Sequence, residues 1–447
     1  TQFTEIVRNE PMTGPARRRF VLDGSVRAWP SGDGLVLVGG SPLTLFRLTP
    51  AGARTVESLR SGEPVAESPL LDRLLDAGAV HPVAGEPSPF SPDDVTVVVP
   101  TLGSPRHVPP GAVLVDDGSD PPVEAATIRL EPNRGPAGAR NAGLAATTTP
   151  LVAFVDADVE LPDGWLVPLL PHFADPTVAV VAPRIVTATR PGAISSYERR
   201  HGPLDMGPEV GRVRAGTRVS YLPAAVLVCR VEAIRQLGGF DEAMRYGEDV
   251  DLVWRLDDAG WRCRYEPRSV IEHEPRPDWR SWVAQRIGYG SSAGPLAVRH
   301  PGKLAPLRMS GWSVAAWSLT IIGRPLAGAA VGAGSAAALI PKLPDVPPRD
   351  AFRIAAIGNV RAGESIAHAI RRSWFPIAVV LALRSKVARR ALLASVVAVR
   401  HPVTLADDVA YCFGVWKGMV TERTLGPIIP EITGWPGRAG RWRRPRP

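Results

Sequence analysis

The chain has 447 residues and 45% hydrophobic content, too long for one ordinary domain and too apolar for a disordered one, so two or three domains with real cores are expected. Its net charge of +8 is unevenly spread: residues 277–447 hold 24 Lys and Arg against 8 Asp and Glu, whereas the remainder is net acidic. An anionic partner, either nucleic acid or an anionic membrane surface, is therefore expected for the C-terminal third.

Residues 1–16 are polar and are expected to be disordered. No basic-then-apolar signal opens the sequence, so the protein is expected to face the cytosol. The first domain, 1–84, reads as a small α+β module. Short strands are expected at 19–22, 26–29, 35–38 and 43–47, and helices at 50–60 and 69–77. Thr49 is the expected N-cap, Pro50 the first helical residue and Gly78 the stop after the second helix. The pattern resembles small winged-helix domains that recognise leader peptides, which implies a peptide strand added to an exposed sheet edge. A packing appendage without a binding role is the other reading. Pro, Ser and acidic residues make 85–93 a linker.

Residues 94–276 alternate strand and helix signals, the mark of an α/β domain with a largely parallel sheet. Val95-Thr96-Val97-Val98-Val99-Pro100-Thr101 is one β-branched run. Val113-Leu114-Val115-Asp116-Asp117-Gly118-Ser119 is another and ends in acids and a turn. Asn133-Arg134-Gly135-Pro136-Ala137-Gly138-Ala139-Arg140-Asn141 reads as a Gly-bearing loop entering a helix; no Gly-Lys-Ser/Thr follows, so it is not a Walker loop. Val152-Ala153-Phe154-Val155-Asp156-Ala157-Asp158 lifts two carboxylates to a strand end, where open α/β sheets bind ligands and where hard oxygens suit Mg²⁺ or Mn²⁺. The polar stretch 190–217 is expected to be a long acceptor-side loop. Gly247-Glu248-Asp249 opens a helical pattern, and Val270-Ile271-Glu272-His273 closes a strand-like one.

In this order and spacing, these segments resemble the family 2 inverting glycosyltransferases with a GT-A, Rossmann-like fold; the likeness covers roughly 94–275. The whole chain, with its N-terminal extension and basic C-terminal third, most resembles the mycofactocin-system branch of that family in actinobacteria. The resemblance implies Asp249 as general base, with Glu248 beside it to hold the acceptor or tune that base. It implies Asp158 as metal ligand, His273 as a further one, and Asp156 nearer the ribose or a metal-bound water. Pro100, Thr101, Asp117, Asn133, Gly135 and Arg140 would line the nucleotide-sugar site, Asp117 accepting from the base and Arg140 approaching nucleotide or phosphate. Gly239, Phe240 and Trp254 would shape the acceptor wall, with Asp251 as a structural acid. Also implied are a divalent cation, UDP-glucose as donor, and a peptide-derived redox carrier that receives a β-linked glucose chain.

The last region, 277–447, carries apolar segments at 312–322, 325–340, 374–383 and 391–399, none a clean membrane-spanning length. Residues 312–340 would be long enough to span only if Arg324 were tolerated, and the Arg clusters between the segments fit interfacial amphipathic helices on an anionic membrane better; an ordinary helical subdomain is the alternative. The Arg-rich tail 438–447 is expected to be disordered. Cys229, Cys263 and Cys412 lack metal spacing and fit small buried residues in a reducing compartment. Two rival functions stand beside the main one: a cell-wall or polyprenol-linked family 2 transferase, and a non-catalytic nucleotide- or nucleic-acid-binding protein. Clustered carboxylates argue against the second, because they repel phosphate without a cation, and no nucleic acid partner is expected.

Overall fold

The computed structural model describes residues 17–83, 88–399 and 401–434, in two compact units that end at Pro87 and begin at Ser88. The expected disordered start (1–16), part of the linker (84–87) and the basic tail (438–447) lie outside the described residues.

In the first unit, strands Arg27–Ser31, Gly34–Gly39 and Thr44–Leu48 form an antiparallel meander. Thr49 Oγ1 accepts the Gly52 N–H at 3.4 Å and starts helix Pro50–Arg60. Helix Pro69–Asp76 follows, and Gly78 reverses the chain with φ +63°. Leu37, Phe46, Val56, Leu59, Leu71 and Leu74 close the core. Sequence patterning left out strand Val80–Pro82, which pairs with Phe20–Leu22.

The second unit is built on a nine-stranded sheet. Ile128–Arg129, Val113–Asp116, Val95–Thr101 and Leu151–Val155 run parallel in that spatial order. Val226–Arg230 follows antiparallel, then Val178–Thr187 and Arg262–His273 in the original direction. Gly211–Val213 and Val159–Glu160 both pair antiparallel with Arg262–His273. Apolar runs buried on both faces explain the central strands: every residue of Leu151–Val155 is buried, as two-sided packing demands. Helices Gly135–Ala146, Val231–Gln236 and Glu248–Asp258 cover one face through Ala139, Ile234 and Leu252. The segment around Leu166, Leu169 and Phe173 covers the other.

The stretch 190–217 is not a loop. It contains helix Ala193–His201 and strand Gly211–Val213. Its polar residues pair inward: Arg184 clasps Asp205 at 2.8 Å, Arg212 reaches Asp257 at 2.8 Å, and Glu198 accepts from Trp282 and Arg286. Polarity here satisfies buried partners rather than solvent.

The C-terminal third is helical: Trp279–Ser291, Ala293–Arg299, Gly311–Ile321, Pro325–Ala337, Pro348–Arg372, Phe375–Arg384, Lys386–Val397 and Pro402–Glu422. Pro402–Glu422 belongs to the catalytic unit. Gly290 and Gly294 meet Gly414 and Gly418 at backbone contact, and Asp407 and Asp408 bind Arg286, Arg371 and Arg372. Part of the basic excess is thus matched internally.

Candidate active site

The strands that run in the original direction deliver their ends to one rim, and pairing register does the rest. Asp156 follows Leu151–Val155, and its N–H donates to Ala225 O at 2.9 Å. Three residues on, Val159 pairs with His273. This register sets Asp158 Oδ2 3.3 Å from His273 Nε2, with Arg276 Nη1 at 3.9 Å. Burial raises the Asp158 pKa, but the His273 hydrogen bond and the charges of His273 and Arg276 outweigh it and lower it.

These groups fit a divalent cation. Asp158 keeps about a third of its side chain exposed, and a carboxylate with an imidazole beside it is a suitable donor pair for Mg²⁺ or Mn²⁺. Among the described residues no group of three or more His, Cys, Asp or Glu forms a closed cage. An open two-donor site leaves the remaining positions to phosphate oxygens and water, as such cations prefer.

Arg140 has a different place from the one expected. It is 3% exposed on helix Gly135–Ala146, with Nη1 donating to Glu248 Oε1 at 2.6 Å and Nη2 to Asp156 Oδ1 at 2.7 Å. Its plane lies over the Phe240 ring, 5.6 Å from the centroid. Both prongs of the fork are occupied by protein, so Arg140 braces two acids instead of reading nucleotide or phosphate. Glu248 is likewise buried and committed to Arg140, which makes it a positioning residue. Burial and the charge of Asp249 push its pKa up to about 7 against the pull of Arg140.

Asp249 lies in the first turn of helix Glu248–Asp258, after Gly247 turns the chain with φ +80°. The helix N-terminus favours a carboxylate there. Oδ2 accepts the Ala224 N–H at 2.9 Å and Oδ1 the Val250 N–H at 2.8 Å. Two of roughly four lone-pair positions remain. Burial raises its pKa, opposed by these N–H groups and Arg140 and reinforced by Asp156. The site therefore holds a fixed, partly exposed carboxylate of raised basicity, coupled to the Asp-x-Asp strand.

Of the residues expected to line the nucleotide-sugar site, Pro100 and Thr101 end their strand beside Val115 and Asp116. Asp117 accepts from Asn133 Nδ2 at 2.8 Å, Arg134 N at 2.7 Å and Gly135 N at 2.8 Å. Much of its acceptor capacity thus anchors the 133–135 loop, whose Gly135 has φ +83°. Asp116 is fully buried, its carboxylate bound by Ser119, Val123 and Arg129, and its pKa falls to about 2 as these hydrogen bonds outweigh burial.

Phe240 and Trp254 are not acceptor-wall rings. Phe240 packs edge-on against Phe154 under Arg140, and the Trp254 indole N–H donates to Ser220 O at 2.8 Å, its ring edge-on to His300. Both lie in the core because the helix and turn that carry them face the sheet. Gly239, with φ +78°, is stapled by Asn141, whose amide bonds both Phe240 N and O at 2.9 Å. Asp251 is structural, bound by Arg255 and His300.

Sequence reasoning missed Arg276, Tyr246 and Tyr289. Tyr246 is 43% exposed and rests on Gly288, edge-on to Tyr289. Tyr289 lies close enough to interact with the charges of both Asp249 and Asp156. The available signal was the aromatic three residues before Asp249 and the Gln-Arg-x-Gly-Tyr run at 285–289.

Several known proteins resemble this chain. The model of glycosyl transferase family 2 matches residues 112–220. The pre-mycofactocin glycosyltransferase of Mycobacterium tuberculosis is 41% identical over 92% of this chain and 98% of that protein. An N-acetylglucosaminyl-diphospho-decaprenol L-rhamnosyltransferase of the same organism is 39% identical over 20% of this chain and 31% of its own. Among solved structures, the mannosyltransferase PcManGT from Pyrobaculum calidifontis in complex with GDP-Man and Mn²⁺ aligns with a TM-score of 0.41 and 17% identity, covering 76% of this chain and 92% of that one.

Proposed function

This chain belongs to the family 2 glycosyltransferases and has their GT-A fold, and from that premise we propose that it transfers glucose from UDP-glucose to pre-mycofactocin, a peptide-derived redox carrier, building a β-linked chain with inversion at each step. The observation that carries the acceptor is the likeness over nearly the full length to an enzyme named for it. The donor, UDP-glucose, is the one the family resemblance of the sequence motifs implies.

The chemistry rests on Asp249. An acceptor hydroxyl approaching its free lone pairs gives up its proton as the oxygen attacks the anomeric carbon, opposite the departing nucleoside diphosphate. Ala224 and Val250 hold the carboxylate, and Arg140 fixes Glu248 and Asp156 around it. Asp158 and His273 would hold the divalent cation, which offsets charge on the leaving diphosphate. Gly135, Asn133 and Asp117 shape the nucleotide side.

Purified protein, UDP-glucose, Mg²⁺ or Mn²⁺ and pre-mycofactocin are expected to give hexose addition by mass spectrometry. Transfer from a different nucleotide sugar only would reassign the donor. Transfer to a polyprenyl phosphate but not to the peptide product would establish the lipid-linked reading, which the exposed apolar C-terminal helices favour.

A further inference from the structure

A cavity of mixed polar and apolar lining lies far along the chain from the catalytic residues, among strand Arg308–Ser310 and helices Gly311–Ile321, Pro325–Ala337 and Pro348–Arg372. Its volume is about 430 Å³. Small residues draw the three helices together. A β-carbon on Gly328 would stand 2.5 Å from Ala316 O, and Gly363 lies beneath the Trp317 indole. The floor is a chain of hydrogen-bonding groups. Ser310 Oγ meets Ser313 Oγ at 3.0 Å, Ser313 donates to Asn359 Oδ1 at 2.7 Å, and Asn359 Nδ2 donates to Ser335 Oγ at 3.1 Å.

Lys342 and Arg361 line the cavity, both exposed, and neither has an ion-pair partner among the described residues. Two unmatched cations over hydroxyl and amide groups suit a phosphate. The surroundings decide which phosphate. Trp312 and Leu339 form apolar wall, and Trp312 is itself 40% exposed. On the same helices Leu326 and Val360 stand out in solvent. A β-carbon on Gly323 would lie 2.9 Å from Arg390 Nη1, so helix Lys386–Val397 adjoins this group. That helix and Phe375–Arg384 expose Leu383, Leu393 and Val397 beside Arg384, Arg389 and Arg390. No single described helix is long and apolar enough to cross a bilayer; Pro348–Arg372 and Phe375–Arg384 reach that length and composition only together, bent by 93° at their break. A free phosphate explains the cations but not the apolar surface around them.

We propose that this cavity is a headgroup site for an anionic phospholipid, with the phosphate between Lys342 and Arg361 and the acyl chains against the exposed apolar helices. It seats the enzyme on the bilayer surface through the headgroup and the exposed apolar helices. Basic residues near an anionic surface act through local charge, so the site adds to a diffuse attraction but is separable from it.

The test uses the full chain in flotation with phosphatidylcholine vesicles, with and without phosphatidylglycerol. Wild type is expected to float with phosphatidylglycerol vesicles. The double variant Lys342→Glu with Arg361→Glu is expected to lose about tenfold or more in partitioning. A charge-matched pair on the helix that carries Arg361, Arg349→Glu with Arg353→Glu, is expected to lose far less. Circular dichroism and transfer to a soluble acceptor should stay at wild-type values in both. Equal loss in the two double variants would reduce the effect to net charge and overturn the site. So would failure of wild type to bind phosphatidylglycerol vesicles. If inorganic phosphate at constant ionic strength raised the Tm of wild type but not of the Lys342/Arg361 variant while vesicles failed to bind, the cavity would hold free phosphate and the lipid assignment would fall.

Discussion

Arg140 and Glu248 share a buried hydrogen bond of 2.6 Å across 108 residues of sequence. The other prong of the same guanidinium holds Asp156, so one side chain ties the acid before the base to the first acid of the Asp-x-Asp strand. Replacing Arg140 by Met strands two acids around a buried space. A loss of about 3–5 kcal/mol in stability is expected, because breaking a buried pair leaves uncompensated charge. Arg140→Lys keeps the charge but not the fork, and should preserve more of the Tm while lowering kcat by about a hundredfold through misplaced acids. Wild-type turnover in folded Arg140→Lys would show that the fork geometry is irrelevant to catalysis.

The Glu248–Asp249 pair makes a pH prediction. Burial raises both, Glu248 to about 7, with Asp249 raised in the same direction. The base must be ionised to accept a proton, so the acid limb of kcat/KM should lie at higher pH than that of an ordinary carboxylate, in the direction in which burial raises Asp249. Glu248→Gln removes the neighbouring negative charge, which lowers the Asp249 pKa and moves this limb to lower pH. Asp249→Asn should bind nucleotide sugar in calorimetry and lose transfer. Loss of donor binding in that variant would place Asp249 in the donor site instead.

Asp158→Asn is expected to fold and to lose most turnover at saturating Mn²⁺, because the substitution removes the charged member of the donor pair. His273→Gln should be milder, raising the metal concentration needed for half-maximal activity. An activity in Asp158→Asn that chelator does not reduce and metal does not restore, at the wild-type level, would refute cation binding at this pair.

The site was legible where function forces a local pattern. Asp-x-Asp at a strand end and Glu-Asp at a helix start both follow from what local sequence can encode, and the structure brings both to one rim. Partners that depend on tertiary contact were not legible. Nothing near Arg140 announces that its fork is filled by residues 16 and 108 positions away. The aromatic residues Phe240 and Trp254 look identical in sequence whether they line a cleft or fill a core. The stretch 190–217 misled because its polarity suggests a loop, whereas Glu198 and Arg212 are matched by Arg286 and Asp257, partners distant in sequence. In the N-terminal module the helices were readable from Thr49, Pro50 and Gly78, while the Val80–Pro82 strand was too short to carry a period.

Deleting residues 1–87 removes a unit with its own core. Its antiparallel meander and two helices fit the pattern of small modules that take up a peptide, which sets the test. The deletion is expected to weaken use of the peptide-derived acceptor, seen as a higher KM, while hydrolysis of nucleotide sugar stays near wild type. Equal loss of both activities would identify a structural appendage.

The seam between helices Trp279–Ser291 and Pro402–Glu422 yields the sharpest structural prediction. A β-carbon on Gly290 would stand 2.1 Å from Tyr411 O, and one on Gly414 would stand 2.1 Å from Ile287 O. The obstructing atoms are backbone, which cannot swing aside as a side chain can. Ala at either position must push the helices apart, at a cost of about 1–3 kcal/mol or more for overpacking. The same helix carries Tyr289 toward Asp249 and Asp156, so displacement should also reach the active site. Gly414→Ala is therefore expected to lower both Tm and kcat, although residue 414 touches no catalytic group. Gly358→Ala is the control: it sits on another helix with no atom within 4 Å of its would-be β-carbon, and should leave both unchanged or slightly raise Tm. Thermal denaturation and initial rates on the three proteins decide the matter, and a Gly414→Ala enzyme indistinguishable from wild type would mean that the seam is looser than backbone contact.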